Sequence, residues 1–258
     1  MKWYGKYQEY SEKELNGMMP IFVAARFGCI GIVKFIATYT FNLNTPKMDR
    51  MTPIHTAAQY NNTEIFQFIA SKVEDPNAPN AEGWTPLHIA AKHGNTDIFK
   101  FLASKVENPN SPTPNGLTPL HITAQHGHTE IFKFISTKVE NPNAHQPDGW
   151  TPLHWAARKG HLDIFKILAA ESKNGKNLND ADPNGWTPLH WAAQNGHIEM
   201  LKFLASKVEN PNTPSSTNGE TPLKVASKNN QIEVVSVLLK ILSEKVFTNS
   251  KAILNTLK

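Results

Sequence analysis

Gly149-Trp150-Thr151-Pro152-Leu153-His154-Trp155-Ala156-Ala157 is one copy of a phrase that returns along the whole sequence. Thr-Pro-Leu/Ile-His also stands at 52–55, 85–88, 118–121 and 187–190, a decayed copy is Thr221-Pro222-Leu223-Lys224, and Met19-Pro20-Ile21-Phe22 keeps the proline. Counted from position 19, the steps are 33, 33, 33, 33, 36 and 34 residues. A fixed period of this length marks supersecondary units that bury their apolar faces on one another instead of folding alone. Glycines keep the same period, before the phrase at Gly17, Gly83, Gly116, Gly149, Gly185 and Gly219, and after it at Gly28, Gly94, Gly127, Gly160 and Gly196.

The local chemistry of each unit predicts two short helices. Threonine is a good N-cap, and the proline after it suits the first helical position, where its missing N–H has no intrahelical partner. Gly94 and its equivalents fit the left-handed residue that ends a helix. A second helix follows as Asp97-Ile98-Phe99-Lys100-Phe101-Leu102, apolar at helical spacing. Helices of about nine residues do not stand alone, but stacked pairs do. Asn115-Gly116, Asp148-Gly149, Asn184-Gly185 and Asn218-Gly219 are tight-turn dipeptides that place a hairpin between successive helix pairs. The 33-residue unit and its Thr-Pro-Leu-His-x-Ala signature resemble the ankyrin repeat. The resemblance implies an all-α solenoid of stacked helix-turn-helix units with projecting β-hairpin loops. Seven repeats are expected, at 14–46, 47–79, 80–112, 113–145, 146–181, 182–215 and 216–243, with an N-terminal segment 1–13 and a C-terminal cap or truncated unit 244–258. The sequence departs from the family after helix two, where Ser104-Lys105-Val106-Glu107-Asn108-Pro109-Asn110 and its relatives replace the usual glycine exit with a proline-stiffened connector. Three extra residues in Ser172–Asn177 lengthen one such loop.

Composition excludes several function classes. The 258 residues are 40% hydrophobic, mean hydropathy is −0.41, and no run approaches the roughly 18 apolar residues of a membrane helix. No membrane insertion is therefore expected. The first seven residues lack a secretory pattern, and the single cysteine, Cys29, makes no internal disulfide, so a cytoplasmic location is expected, with nuclear entry left open. The 26 basic and 22 acidic residues are dispersed, which argues against nucleic acid. The scaffold consumes most of the residues that chemistry would need: the repeat positions take eleven of the 14 glycines and eight of the 11 histidines. His121, His126 and His128 lack metal-ligand spacing, so no metal or cofactor is expected. Cys29 fills a slot where sister units place His or Asn and reads as packing. Glu171, Asp180 and Asp182 read as solvated carboxylates of the insert loop. The protein is expected not to be an enzyme.

The binding surface that the ankyrin resemblance implies is the concave face, built from hairpin tips and the exposed end of helix one. The helix-one row runs Arg26-Phe27, Gln59-Tyr60, Lys92-His93, Gln125-His126, Arg158-Lys159, Gln194-Asn195 and Lys228-Asn229, without an acid. The hairpin row is Met18, Met51, Trp84, Leu117, Trp150, Trp186 and Glu220. Aromatic and apolar residues beside basic ones are the composition of an interaction surface. The candidate protein-binding residues are Arg26, Met51, Tyr60, Trp84, Lys92, His93, Leu117, His126, Trp150, Arg158, Lys159 and Trp186. The competing expectation is that Trp84, Trp150 and Trp186 stack on neighbouring hairpins. Trp155 and Trp191 replace Ile89 and Ile122 of sister units and are expected to be packing residues. The acids opening helix two, such as Glu130 and Glu199, followed three residues on by lysines, read as a solvated face. Residues 1–13, rich in aromatics, are expected to pack over the first unit. The leading reading is a monomeric, non-catalytic scaffold or adaptor that binds another protein through an acidic segment with apolar anchors. A second reading is nucleotide or small-ligand sensing, with a base stacked on Trp84 or Trp150 and phosphates held by Lys92, Arg158 and Lys159. A third is that the chain is the targeting fragment of a larger ankyrin-containing protein.

Overall fold

A computed structural model describes residues 20–39, 43, 45–46, 51–171 and 178–256, with side chains in the last helix described as far as Lys245. The 1–13 segment, Met18 and the 172–177 insert lie outside the described residues. The described residues form fourteen helices and no strand, distributed over two bodies, Met1–Pro114 and Asn115–Lys258, each taken here by itself. The first body holds α1 (Pro20–Phe27) with α2 (Ile30–Ala37), α3 (Pro53–Gln59) with α4 (Thr63–Ala70), and α5 (Pro86–His93) with α6 (Thr96–Ala103). The second holds α7 (Pro119–His126) with α8 (Thr129–Ser136), α9 (Pro152–Lys159) with α10 (Leu162–Glu171), α11 (Pro188–Asn195) with α12 (Ile198–Lys207), and α13 (Pro222–Lys228) with α14 (Ile232–Thr256). Within each body, each odd-numbered helix packs on the next odd-numbered one. α14 continues through residue 243, where the sequence reading had placed a boundary.

The helix starts follow from the Thr-Pro-x-His phrase, with one addition. Thr85 and Thr151 accept from the backbone N–H of His88 and His154, and the imidazole Nδ1 of each histidine accepts from the threonine N–H in return. Histidine thus fills the place that Glu or Gln holds in a capping box. Its other nitrogen reaches the loop between its own helix pair and the next: His88 Nε2 lies 2.9 Å from the Ser111 carbonyl, His121 Nε2 3.0 Å from Ala144, His154 Nε2 3.1 Å from Asp180 and His190 Nε2 2.9 Å from Glu220. A carbonyl only accepts, so Nε2 carries the proton and Nδ1 is the acceptor.

A second ladder runs between the helix pairs. The residue after the inter-helix turn hydrogen-bonds the last carbonyls of the preceding unit's first helix. Asn62 donates to Ala25, Asn95 to Ala58, His161 to Gln125, His197 to Arg158 and Gln231 to Gln194. The turns themselves are left-handed as expected at the glycines, while Asn61 and Asn230 take that conformation at φ 57° and 56° where the glycine is missing. The connectors after helix two leave through right-handed residues, Ser71, Ser104 and Thr137, so the lost glycine has no counterpart left-handed exit. Phe66, Phe99, Phe132 and Phe165 from the second helices are fully buried, as are first-helix alanine pairs such as Ala57-Ala58, Ala90-Ala91 and Ala156-Ala157. Each such ring contributes roughly 1.5–3 kcal/mol through its burial. The hairpins are tight loops closed by two backbone bonds each, Gln146 N–H to the Trp150 carbonyl with Gly149 N–H to that of Gln146, and Asp182 N–H to the Trp186 carbonyl with Gly185 N–H to that of Asp182.

Candidate tryptophan and arginine interface

In the second body, α9 and α11 carry tryptophan at their fourth position, and the hairpin before each ends in another. Trp150 lies 4.8 Å from Trp155 and 5.0 Å from Trp191 between ring centroids, and Trp186 lies 4.8 Å from Trp191. The planes are tilted by 48°, 55° and 51°, a herringbone rather than a stack. Arg158, near the end of α9, lays its guanidinium 5.5 Å from the Trp150 centroid, 5.8 Å from Trp155 and 5.1 Å from Trp191. Such contacts contribute about 0.5–2 kcal/mol depending on desolvation. Among the described residues the guanidinium has no hydrogen-bond or ion-pair partner, so its N–H groups are uncommitted.

The expectation that Trp155 and Trp191 are packing residues needs correction. Ile89 and Ile122 are buried at this position, whereas both tryptophans are half-buried and present ring surface. The reason is the indole N–H, which a core position leaves unpaired. Trp155 donates to Gln146 Oε1 and Trp191 to Asp182 Oδ2, each at 3.1 Å. Asp182 is therefore not a solvated loop carboxylate. It is 4% exposed, and its other oxygen accepts the backbone N–H groups of Asn184 and Trp186. A signal for this pair existed in the sequence: nine residues before Ile89 and Ile122 stand Asn80 and Thr113, but nine before Trp155 and Trp191 stand the longer or charged acceptors Gln146 and Asp182.

The remaining candidates divide between the bodies. In the first, Lys92 lies 5.4 Å from the Trp84 ring centroid, and Arg26 lies 5.2 Å from that of Tyr60, which is 42% exposed. Met51 is half-buried and its sulfur accepts from Asn80, while His93 is exposed. In the second, Leu117 is half-buried at the hairpin position, His126 stacks on His128 at 6.1 Å, and Lys159 is exposed beside Arg158. Trp150 is only 9% exposed and Trp186 half-buried, and both lean on helix-one rings, not on neighbouring hairpins.

Electrostatically, the imidazoles beside these rings add no charge near pH 7. Burial pushes His154 and His190 below the usual imidazole range, against the raising effect of their carbonyl partners Asp180 and Glu220. Among the described residues no cluster of three or more His, Cys, Asp or Glu side chains has the placement to hold a metal ion. No described helix is long and apolar enough to cross a membrane. Glu199 and Lys202 pair at 2.8 Å on the outer face, both exposed.

Paired short helices with capped turns, repeating at the 33-residue step, define a helical repeat protein. The family model described as ankyrin repeats (3 copies) matches residues 5–80, 21–113, 69–146, 105–180 and 172–250, and the chain belongs to the ankyrin-repeat family. Proteins of this family generally act as protein–protein interaction modules. No curated protein sequence matches the chain.

Proposed function

We propose that this protein is a non-catalytic binding module that captures an acidic, apolar-anchored segment of another protein on its helix-one face. The observation that carries the reading is Arg158: a guanidinium laid across three indoles, with no carboxylate paired to it among the described residues. Lys92 on Trp84 and Arg26 on Tyr60 repeat the theme in the first body. Tryptophan and arginine are the residues most enriched at interface hot spots, and an arginine fork suits a carboxylate. Arg158→Ala and Lys92→Ala remove the cations without opening a cavity, unlike Trp150→Ala, whose ring is almost wholly buried.

The test is affinity capture from source cells, wild type against the Lys92→Ala, Arg158→Ala double variant, with circular dichroism as a control for folding. A hot-spot loss of about 2 kcal/mol or more per residue corresponds to at least a roughly thirtyfold weaker partner. Retention of the same proteins by both forms refutes this placement of the surface.

A further inference from the structure

The hairpin and helix tryptophans differ in what their N–H groups do. Trp155 and Trp191 spend theirs on Gln146 and Asp182. Trp150 and Trp186 donate to no described protein atom, and neither ring nitrogen is sealed from solvent. Trp150 is 9% exposed, yet what it shows to solvent includes its nitrogen. The face thus offers two aromatic hydrogen-bond donors, tilted rings with ridges between them, and one cation. Because both rings touch Trp191, the Trp150 and Trp186 centroids lie no more than about 10 Å apart.

Resting on the binding-module reading above, we propose that the segment held here is a proline-containing stretch in polyproline II conformation, with a carboxylate that meets Arg158. A polyproline II helix has three residues per turn and rises about 3 Å per residue, so equivalent carbonyls recur every 9 Å or so. That repeat fits within the roughly 10 Å upper bound on the spacing of the two rings that carry the donors. Its carbonyls have no internal partners and accept from outside, and proline rings settle on aromatic ridges. The tilted rings offer no flat slot for a nucleobase, which stacks on parallel faces. A pre-extended segment also loses less conformational entropy on docking.

The probe is an array of synthetic ten-residue peptides with proline at every third position and one glutamate moved through the rest, beside a matched array with every proline replaced by alanine. Binders are titrated into the nitrogen-15-labelled full chain. The expected result is that proline peptides bind at least tenfold more tightly than their alanine counterparts. The indole N–H signals of Trp150 and Trp186 move and those of Trp155 and Trp191 hold. Trp186→Phe, which keeps a ring and removes the donor, weakens binding about threefold to tenfold. Equal binding by the alanine peptides on the same signals overturns the proline inference and leaves the acidic-segment reading intact. If no peptide binds, the proline inference falls; the cation-removing double variant then decides separately whether the face itself survives.

Discussion

Lowering the pH from 7.5 to 5.5 destabilises the fold through its bridging histidines, and His121 supplies the magnitude. Burial holds its imidazole down to about 4, against carbonyl hydrogen bonds to Ala144 and Trp150 and the charge of Asp148 that raise it, with nearby His145 lowering it further. In the unfolded chain the same group titrates near 6.5. Its folded value is depressed, so its contribution to stability is present above about 6.5 and is lost as the pH falls from there towards about 4. The structural cause is visible: Nδ1 lies 2.8 Å from the Thr118 hydroxyl and Nε2 3.0 Å from the Ala144 carbonyl, so the acid proton has to displace an accepted hydrogen bond at Nδ1. At pH 5.5 the unfolded imidazole is mostly charged and the folded one mostly neutral, a loss of about 1.4 kcal/mol from this residue alone. His88, His154, His161 and His190 shift in the same direction, burial being the leading cause in each, and all but His88 lie in the second body. The assay is urea unfolding followed by circular dichroism at pH 7.5 and 5.5, on wild type and His121→Gln. The variant is less stable at pH 7.5, because it loses the bridge to Ala144. The gap between the two proteins then narrows by about 1 kcal/mol at pH 5.5, since glutamine does not titrate. Groups other than His121 contribute to both proteins and cancel in this difference. A gap unchanged between the two pH values refutes the reasoning.

Three further outcomes are measurable in the same denaturation format. Gly149→Ala places a Cβ 2.3 Å from Pro183 Cγ at φ 81°, whereas Gly219→Ala at φ 66° meets nothing within 4 Å; the second costs only the left-handed backbone strain of about 1–2 kcal/mol, and the first costs clearly more. Asn95→Ala leaves the carbonyls of Ala58 and Gln59 without the side-chain donor that reaches them at 2.5 and 3.3 Å, and lowers stability by about 1–3 kcal/mol. In Asp182→Asn either orientation of the amide sets its NH2 against a donor, the Trp191 indole on one side or the Trp186 backbone on the other, with a loss of about 1–3 kcal/mol and a blue- or red-shifted tryptophan emission as Trp191 moves.

The helix positions were legible in the sequence because the residues that decide them act locally. Thr85 caps, Pro86 starts, Gly94 stops, and none of these needs a distant partner. The left-handed Asn61 and Asn230 were less legible, since asparagine tolerates that conformation without requiring it as glycine nearly does. The candidate site was legible only by composition. Reading Arg158 and Trp150 as one surface was within reach because the two lie eight residues apart on a turn and helix of known period. The roles of Asp182 and Gln146 were not, because a carboxylate beside a loop insert looks solvated until the fold turns an indole onto it. Whether a tryptophan packs or presents itself depends on where its nitrogen finds an acceptor, and that acceptor stands nine residues upstream in a hairpin whose path the one-dimensional pattern does not state.

The same dependence explains why α9 and α11 present a tryptophan surface, the one proposed above to bind a partner. Replacing a buried isoleucine with tryptophan adds a ring too large for the slot and an N–H whose unpaired burial costs about 1–3 kcal/mol. Gln146 and Asp182 remove that cost, and the surplus ring area emerges at the surface, where it packs at a tilt against the hairpin tryptophans. Arg158 then lies on that area, while the carboxylates of the two hairpins hold rings and turns: Asp182 accepts from Trp191, Asn184 and Trp186, and Asp148 from the Trp150 backbone N–H at 3.0 Å. On the proposed reading, a guanidinium positioned by three rings, with no ion-pair partner among the described residues, takes its counter-charge from the bound segment.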